Sequence, residues 1–172
     1  NRLLSYHEHS SIERENYLLE ELKSGKNIAL VSDAGMPAIS DPGEHLVRKA
    51  IEAGIQVDVI PGPSACTAAL AISGLDSSAF IFVGFLPARR NHRKEALQEL
   101  KKESRTVILY EAPHRLLDTL ADMQAVLGEE QPLIIGRELT KQYQEMRRGS
   151  LKELYDYYTR HSPRGEFCML LP

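Results

Sequence analysis

The chain has 172 residues, 42% of them hydrophobic and 26% charged, with a formal net charge of −3. That suits one large domain or two small ones with a real core, and it excludes a disordered chain and a surface coated in basic residues. No stretch approaches the ~18 consecutive apolar residues of a membrane span. Two cysteines, Cys66 and Cys168, make no disulfide framework and, without a CxxC or His/Cys cluster, no zinc site. They read as buried thiols in a reducing compartment.

The chain begins Asn1-Arg2-Leu3, with neither an initiator methionine nor a signal-peptide pattern, and stops at Met169-Leu170-Leu171-Pro172 within an apolar run. Both ends read as cut, and a fragment of something longer is expected. Ser10 and Glu13 have capping-box spacing ahead of a helix over 12–22, with Leu18, Leu19 and Leu22 on its apolar stripe and Gly25 stopping it. Residues 27–32, with Ile28, Leu30 and Val31, predict a buried strand, and 33–43 a loop with two Gly and two Pro. A helix over 44–53, a strand over 55–60, a Pro-Gly-Pro-Ser turn over 61–64, a small-residue helix over 65–73 and a strand over 80–83 follow. This alternation predicts a parallel sheet covered by helices, its strands set side by side by right-handed crossovers.

Residues 84–87 read as a hinge. They divide an N-terminal α/β domain, 1–83, from a C-terminal α/β domain, 84–172. In the second, the pattern predicts a basic helix over 88–102, a strand over 106–110, a helix over 113–127 and a strand over 132–136. A strand over 143–148, a helix over 150–160 and a final strand over 166–171 complete it.

In a parallel sheet the loops 33–43 and 61–64 share the carboxyl edge, where open α/β sheets bind ligands. Gly35, Gly43 and Gly62 permit close backbone approach there, and the following helices offer free N–H groups. The same residues also suit plain turns. GxxxxGK[ST], GxGxxG and GxSxG are all absent, which leaves a phosphate-cradling hydrolase and a serine nucleophile unsupported. His7 and His9 lack a third ligand, so no metal site is expected. His114 reads as a cap or surface residue.

Between residues 88 and 105 seven basic residues face three acids, a net +4 that leaves −7 for the remainder. Such a patch fits an anionic partner or, equally, a solvated helix face.

Five ordered motifs stand out. They are Val31-Ser32-Asp33-Ala34-Gly35-Met36-Pro37-Ala38-Ile39-Ser40-Asp41-Pro42-Gly43, Ile60-Pro61-Gly62-Pro63-Ser64-Ala65, Gly84-Phe85-Leu86-Pro87, Tyr110-Glu111-Ala112-Pro113-His114-Arg115-Leu116 and Arg137-Glu138-Leu139-Thr140-Lys141. In that order they resemble the tetrapyrrole methylase superfamily, and within it the branch that 2′-O-methylates a cytidine of bacterial 16S ribosomal RNA. The resemblance covers nearly the whole chain. It implies two α/β domains with an S-adenosylmethionine cleft between them, a homodimer, a cytoplasmic location, no membrane contact, and small-subunit ribosomal RNA as partner. Ala34, Gly35, Met36, Pro37 and Ile39, then Ser64 and Ala65, then Tyr110 and Glu111 would meet the cofactor. Nothing here matches the family's N-terminal strand and Pro-Ile-Gly-Asn type loop.

Methyl transfer from a sulfonium is an in-line displacement that needs no metal. A ribose hydroxyl is a poor nucleophile, helped by a base or a cationic neighbour. Glu138 and Lys141 are the catalytic candidates, with Glu111 and Arg115 behind them; Arg137, Glu138 and Lys141 read equally as a structural ion-pair network. Arg89, Arg90, Arg93, Lys94 and Arg115 would bind RNA, the first four through phosphate. A corrin or porphyrin methylase and a non-catalytic RNA-binding module remain as alternatives.

Overall fold

The computed structural model describes residues 3–7 and 10–172. The Asn1-Arg2 start and His9 of the histidine pair therefore lie outside the described residues. The chain divides into two compact units, one ending at Ser64 and one running from Ala65 to Pro172.

The first unit holds α1 (Ile12–Lys23) and α2 (Glu44–Glu52). The cap of α1 is one residue later than its sequence spacing indicates. Ser11 accepts the Arg14 backbone N–H at 3.3 Å, whereas the Ser10 hydroxyl accepts the His7 N–H at 2.9 Å. Glu15 faces inward from α1 with a side chain only 8% exposed. Three donors gather on it: the Tyr6 hydroxyl at 2.9 Å, His45 Nδ1 at 2.7 Å and Lys49 Nζ at 2.7 Å. The bonds from His45 and Lys49 hold its carboxyl down at about 2. This carboxylate ties both helices and the segment around Tyr6 into one unit.

The strands expected over 27–32 and 55–60 do not form. These segments join no sheet ladder, and Ile28, Val31, Val57, Val59 and Ile60 are exposed along them. Apolar, β-branched composition favours a strand only where a neighbour supplies the ladder and covers the face. No described segment does so here. The expected parallel sheet is thus absent from this unit.

The second unit is a five-stranded mixed sheet in the order β1-β2-β5-β3-β4. Its strands are β1 (Phe80–Phe85), β2 (Thr106–Glu111), β3 (Pro132–Arg137), β4 (Glu145–Ser150) and β5 (Phe167–Leu171). The strand expected over 80–83 therefore forms, but its partner is β2, to which it runs parallel. The β2–β5, β5–β3 and β3–β4 pairs are antiparallel. The helices are α3 (Ala65–Ser73), α4 (Arg90–Leu100), α5 (Leu116–Leu127) and α6 (Leu151–Arg160).

Side-chain alternation assigns the two faces. Val107, Leu109, Leu133, Ile135, Phe167 and Met169 join a core with residues of α4, α5 and α6, including Leu97, Leu120 and Leu154. Ile108, Ile134, Cys168 and Leu170 point the other way, onto Cys66, Ala69 and Leu70 of α3. β5 is buried at every position, as a strand covered on both faces must be. Both cysteines are buried free thiols, and burial pushes Cys168 up to about 12. The side chain of Ser150 accepts the Glu153 N–H while Glu153 accepts the Ser150 N–H, a complete capping box that starts α6.

Candidate functional site

In the first unit the two glycine- and proline-rich loops meet. The Gly62 backbone N–H points to Met36 Sδ at 3.1 Å. A Cβ at Gly35 would lie 3.4 Å from the Pro63 carbonyl oxygen, and one at Gly62 would lie 3.3 Å from Met36 Sδ. Gly35 has φ +81°, and Ala38 and Ser40 also take positive φ, at 64° and 56°. Two non-glycine residues in this left-handed region within one loop store backbone strain of the kind found at ligand sites. The Ser32 hydroxyl donates to the carbonyls of Ala34 and Gly35, curling the loop on itself. Ala34, Gly35 and Ile39 are exposed, while Met36 and Pro37 are half-buried beneath them. Of the expected cofactor residues, these five therefore form one surface with a bare backbone at its centre.

In the second unit the structure brings Ala65 and Tyr110 together. The Tyr110 hydroxyl accepts the Cys66 N–H at 3.0 Å, at the start of α3, so it holds the residues next to Ala65. Phe82 and Phe85 set their rings edge-on to Tyr110, with centroids at 4.8 and 5.8 Å.

Glu111 points into the interior. Its side chain has no exposed surface. It accepts the Thr119 hydroxyl at 2.6 Å and the Ala112 N–H at 2.9 Å, with Arg115 Nε 3.3 Å away. Arg115 in turn donates to the Leu86 carbonyl at 2.7 Å. This pair fastens the segment after β1 to the start of α5. The Glu111 side chain is engaged within the fold and presents nothing to a ligand.

Glu138, Lys141 and Glu166 form a second knot. Lys141 Nζ donates to Glu138 at 3.2 Å and to Glu166 at 2.8 Å. Glu138 Oε1 also accepts the Glu166 backbone N–H at 2.9 Å. That N–H, with Lys141 behind it, holds Glu138 below the usual carboxylate range, and Glu166 with Glu138 holds Lys141 above the usual lysine range. Neither group is poised near neutrality as a general base would be. At pH 7 the pair is a fixed carboxylate and a fixed ammonium. The φ of Glu138 is +48° and that of Thr140 +65°, so this loop too is strained.

Part of the basic stretch is drawn into the fold around one carboxylate, Asp122. Arg93 is buried, with Nε 2.9 Å from Asp122 and Nη1 3.2 Å from the Ala88 carbonyl. Arg90 Nε bonds the same carboxylate at 3.0 Å, and Lys94 lies 3.7 Å from it. Burial pushes the Asp122 carboxyl up, but Arg90 and Arg93 outweigh it and keep the group below its ordinary value. Arg93, expected to meet phosphate, is instead the inner half of a buried ion pair that fixes α4 on α5. Arg89 and Arg90 remain exposed. Asp122, which organises this cluster, carried no signal in sequence because it lies 29 residues from Arg93.

The sequence matches the model of the Tetrapyrrole (Corrin/Porphyrin) Methylases over residues 4–155. It is 51% identical over 168 residues to the ribosomal RNA small subunit methyltransferase I of Synechocystis sp., a match covering 98% of this chain and 60% of that one. It is 47% identical over 169 residues to the protein of that name from Thermotoga maritima, covering 98% of this chain and 75% of the relative. Among solved structures, uroporphyrin-III C-methyl transferase from Thermus thermophilus, complexed with S-adenyl homocysteine, superposes with a TM-score of 0.61 at 15% identity. That match covers 92% of this chain and 71% of the other. The chain thus spans about three fifths of the Synechocystis relative's length. The motifs, the folded second unit and these matches agree, and the chain belongs to the tetrapyrrole (corrin/porphyrin) methylase family.

Proposed function

We propose that this chain is part of an S-adenosylmethionine-dependent methyltransferase that modifies the 2′-hydroxyl of a cytidine ribose in small-subunit ribosomal RNA. The observation that carries this reading is the identity of about one half to relatives named for that RNA, maintained along nearly the whole chain. The resemblance supplies the 2′-hydroxyl and the cytidine. We further infer a homodimer working in the cytoplasm.

The residues present fit the methyl donor. The Gly35 backbone is bare, lies in a left-handed conformation that side chains resist, and sits on the second loop at Pro63. Exposed Ala34 and Ile39 offer small and apolar contact beside it. When bound, S-adenosylmethionine supplies an already activated methyl group, which leaves orientation and electrostatics to the protein. Gly35 and Met36 would hold it through backbone and apolar contact.

Lys141 would act on the ribose oxygen. Two of its three N–H donors go to Glu138 and Glu166, and its side chain is 42% exposed. The remaining donor can meet the ribose oxygen and favour its ionised form, whose negative charge is greatest before the bond to carbon forms. Glu138 positions that ammonium and keeps it charged. The hydroxyl proton would leave to solvent, because neither Glu138 nor Lys141 is tuned to take it near pH 7.

The test is transfer of a radiolabelled methyl group from S-adenosylmethionine to small ribosomal subunits isolated from cells lacking the activity. The expected result is stoichiometric label in the RNA. Label that appears only when a corrin or porphyrin acceptor is supplied would overturn the reading.

A further inference from the structure

Helix α4, with part of its basic charge drawn onto Asp122, leaves open where an RNA strand would lie, and the opposite edge of the second unit offers a better-built surface. β4 is an edge strand of the sheet. Between it and the end of α6 lies an open groove of about 470 Å³, with Arg147, Arg148, Arg160 and Tyr157 among its lining residues. That volume lies in the range of small-ligand sites.

Three side chains form a stack at the groove's edge, where Arg147 and Tyr157 belong to the lining and His161 lies beside it on Tyr157. The Arg147 guanidinium lies 3.4 Å from the centroid of the Tyr157 ring. The His161 ring stacks on Tyr157 with centroids 4.2 Å apart and planes 17° apart. His161 Nδ1 sits 2.9 Å from the Tyr157 carbonyl oxygen, which fixes the ring's orientation. Glu145 pairs with Arg147, yet the buried Arg147 Nε–H finds no acceptor among the described residues. Tyr157, Arg160 and His161 stand at i, i+3 and i+4, on one side of the helix. His161 and Arg160 are exposed. Arg160 uses Nε on the Asp156 carbonyl at 3.1 Å.

An exposed, oriented ring at the end of a cation–aromatic stack, with an arginine fork beside it, matches what unpaired bases and their phosphates require. Stacking on an aromatic face is tolerant of sequence, and arginine binds phosphate through paired donors. The groove also adjoins the catalytic candidates. Glu145, at the start of β4, lies 3.7 Å from Arg137, the residue before Glu138.

We propose that the groove between β4 and the end of α6 is a platform for single-stranded RNA, where a base stacks on His161 and a phosphate is gripped by Arg147 and Arg160. It rests on the ribosomal RNA reading and deepens it. The platform carries a nucleotide that flanks the reacting ribose, leading the strand toward the loop of Glu138 and Lys141. Duplex RNA, whose bases are already stacked, gains nothing from His161.

The test titrates a fluorescent ten-nucleotide single-stranded RNA, and its duplex, with the whole protein and two exposed-site variants across a salt series. His161→Ala should weaken single-strand binding about fivefold with the salt slope unchanged, and leave duplex binding as it was. Arg160→Ala should weaken single-strand binding similarly and reduce the slope by about 0.7, the loss of one phosphate contact. His161→Trp, which offers a larger face, should restore or exceed wild-type affinity. Unchanged single-strand affinity in His161→Ala and Arg160→Ala, beside normal methyl transfer by the wild type, overturns the platform alone. Failure of the wild type to methylate small subunits overturns the underlying reading instead.

Discussion

The hydroxyl of Tyr110 at the end of β2 accepts the backbone N–H of Cys66 near the start of α3, at 3.0 Å. One side chain thus fixes where the helix begins, and with it the place of Ala65. Tyr110→Phe keeps the ring contacts to Phe82 and Phe85 and removes only this acceptor. It should cost about 1–3 kcal/mol, because the Cys66 N–H is left buried without a partner. Denaturant unfolding checks the stability, and calorimetric titration of S-adenosylmethionine should show weaker binding from a displaced helix start.

Gly35 carries a different constraint. Its φ of +81° admits a side chain only under strain, and a Cβ would approach the Pro63 carbonyl at 3.4 Å. Gly35→Ala should cost roughly 1–2 kcal/mol from backbone strain. Gly35→Val adds a branched side chain over the bare backbone and should lower affinity for S-adenosylmethionine at least tenfold. Full affinity in a folded Gly35→Val protein would remove this loop from the cofactor site.

The Arg93–Asp122 pair governs how the basic helix can be tested. Removing one partner of a buried ion pair costs about 3–5 kcal/mol. Arg93→Ala should therefore unfold or severely destabilise the second unit, whereas Arg89→Glu should stay within about 0.5 kcal/mol of wild type. Thermal melts of the two variants separate a structural arginine from a surface one.

Glu15 gives the first unit an acid-sensitive joint. Its folded-state value of about 2 lies below the ordinary 4.5, so its bonds stabilise the unit fully above the ordinary value. That stability is lost as the pH falls through the folded value, because protonation abolishes the charge that His45 and Lys49 bond. Amide protection in α1 and α2, measured relative to intrinsic exchange at each pH, should fall on acidification below about pH 4.5 in the wild type. In Glu15→Gln it should be lower already at pH 7 and nearly flat across that window.

The individual helices and strands of the second unit were legible in sequence to within a few residues at each end. Its strands alternate cleanly, as Val107 and Leu109 do against Ile108 and Leu170, and each helix has a start or stop signal. Residues 27–32 and 55–60 were misread because a strand is a property of a pair, and composition does not say whether the partner is there. The loops around Gly35 and Gly62 were recognisable by motif, but their contact through Met36 was not. Charge was the least legible feature. Arg93 and Arg89 look alike in sequence, and only the fold brings Asp122 to one of them. The strained Glu138 likewise gave no sign that its carboxylate would be held by the Glu166 backbone, 28 residues away.

The most direct test of the central claim locates the methyl group. Small-subunit RNA is incubated with the protein and isotope-labelled S-adenosylmethionine, digested to nucleosides and resolved by mass spectrometry. The expected product is labelled 2′-O-methylcytidine, lost in Lys141→Ala and largely retained in Lys141→Arg. Label on a base carbon or nitrogen, or equal yield from Lys141→Ala, would contradict the account.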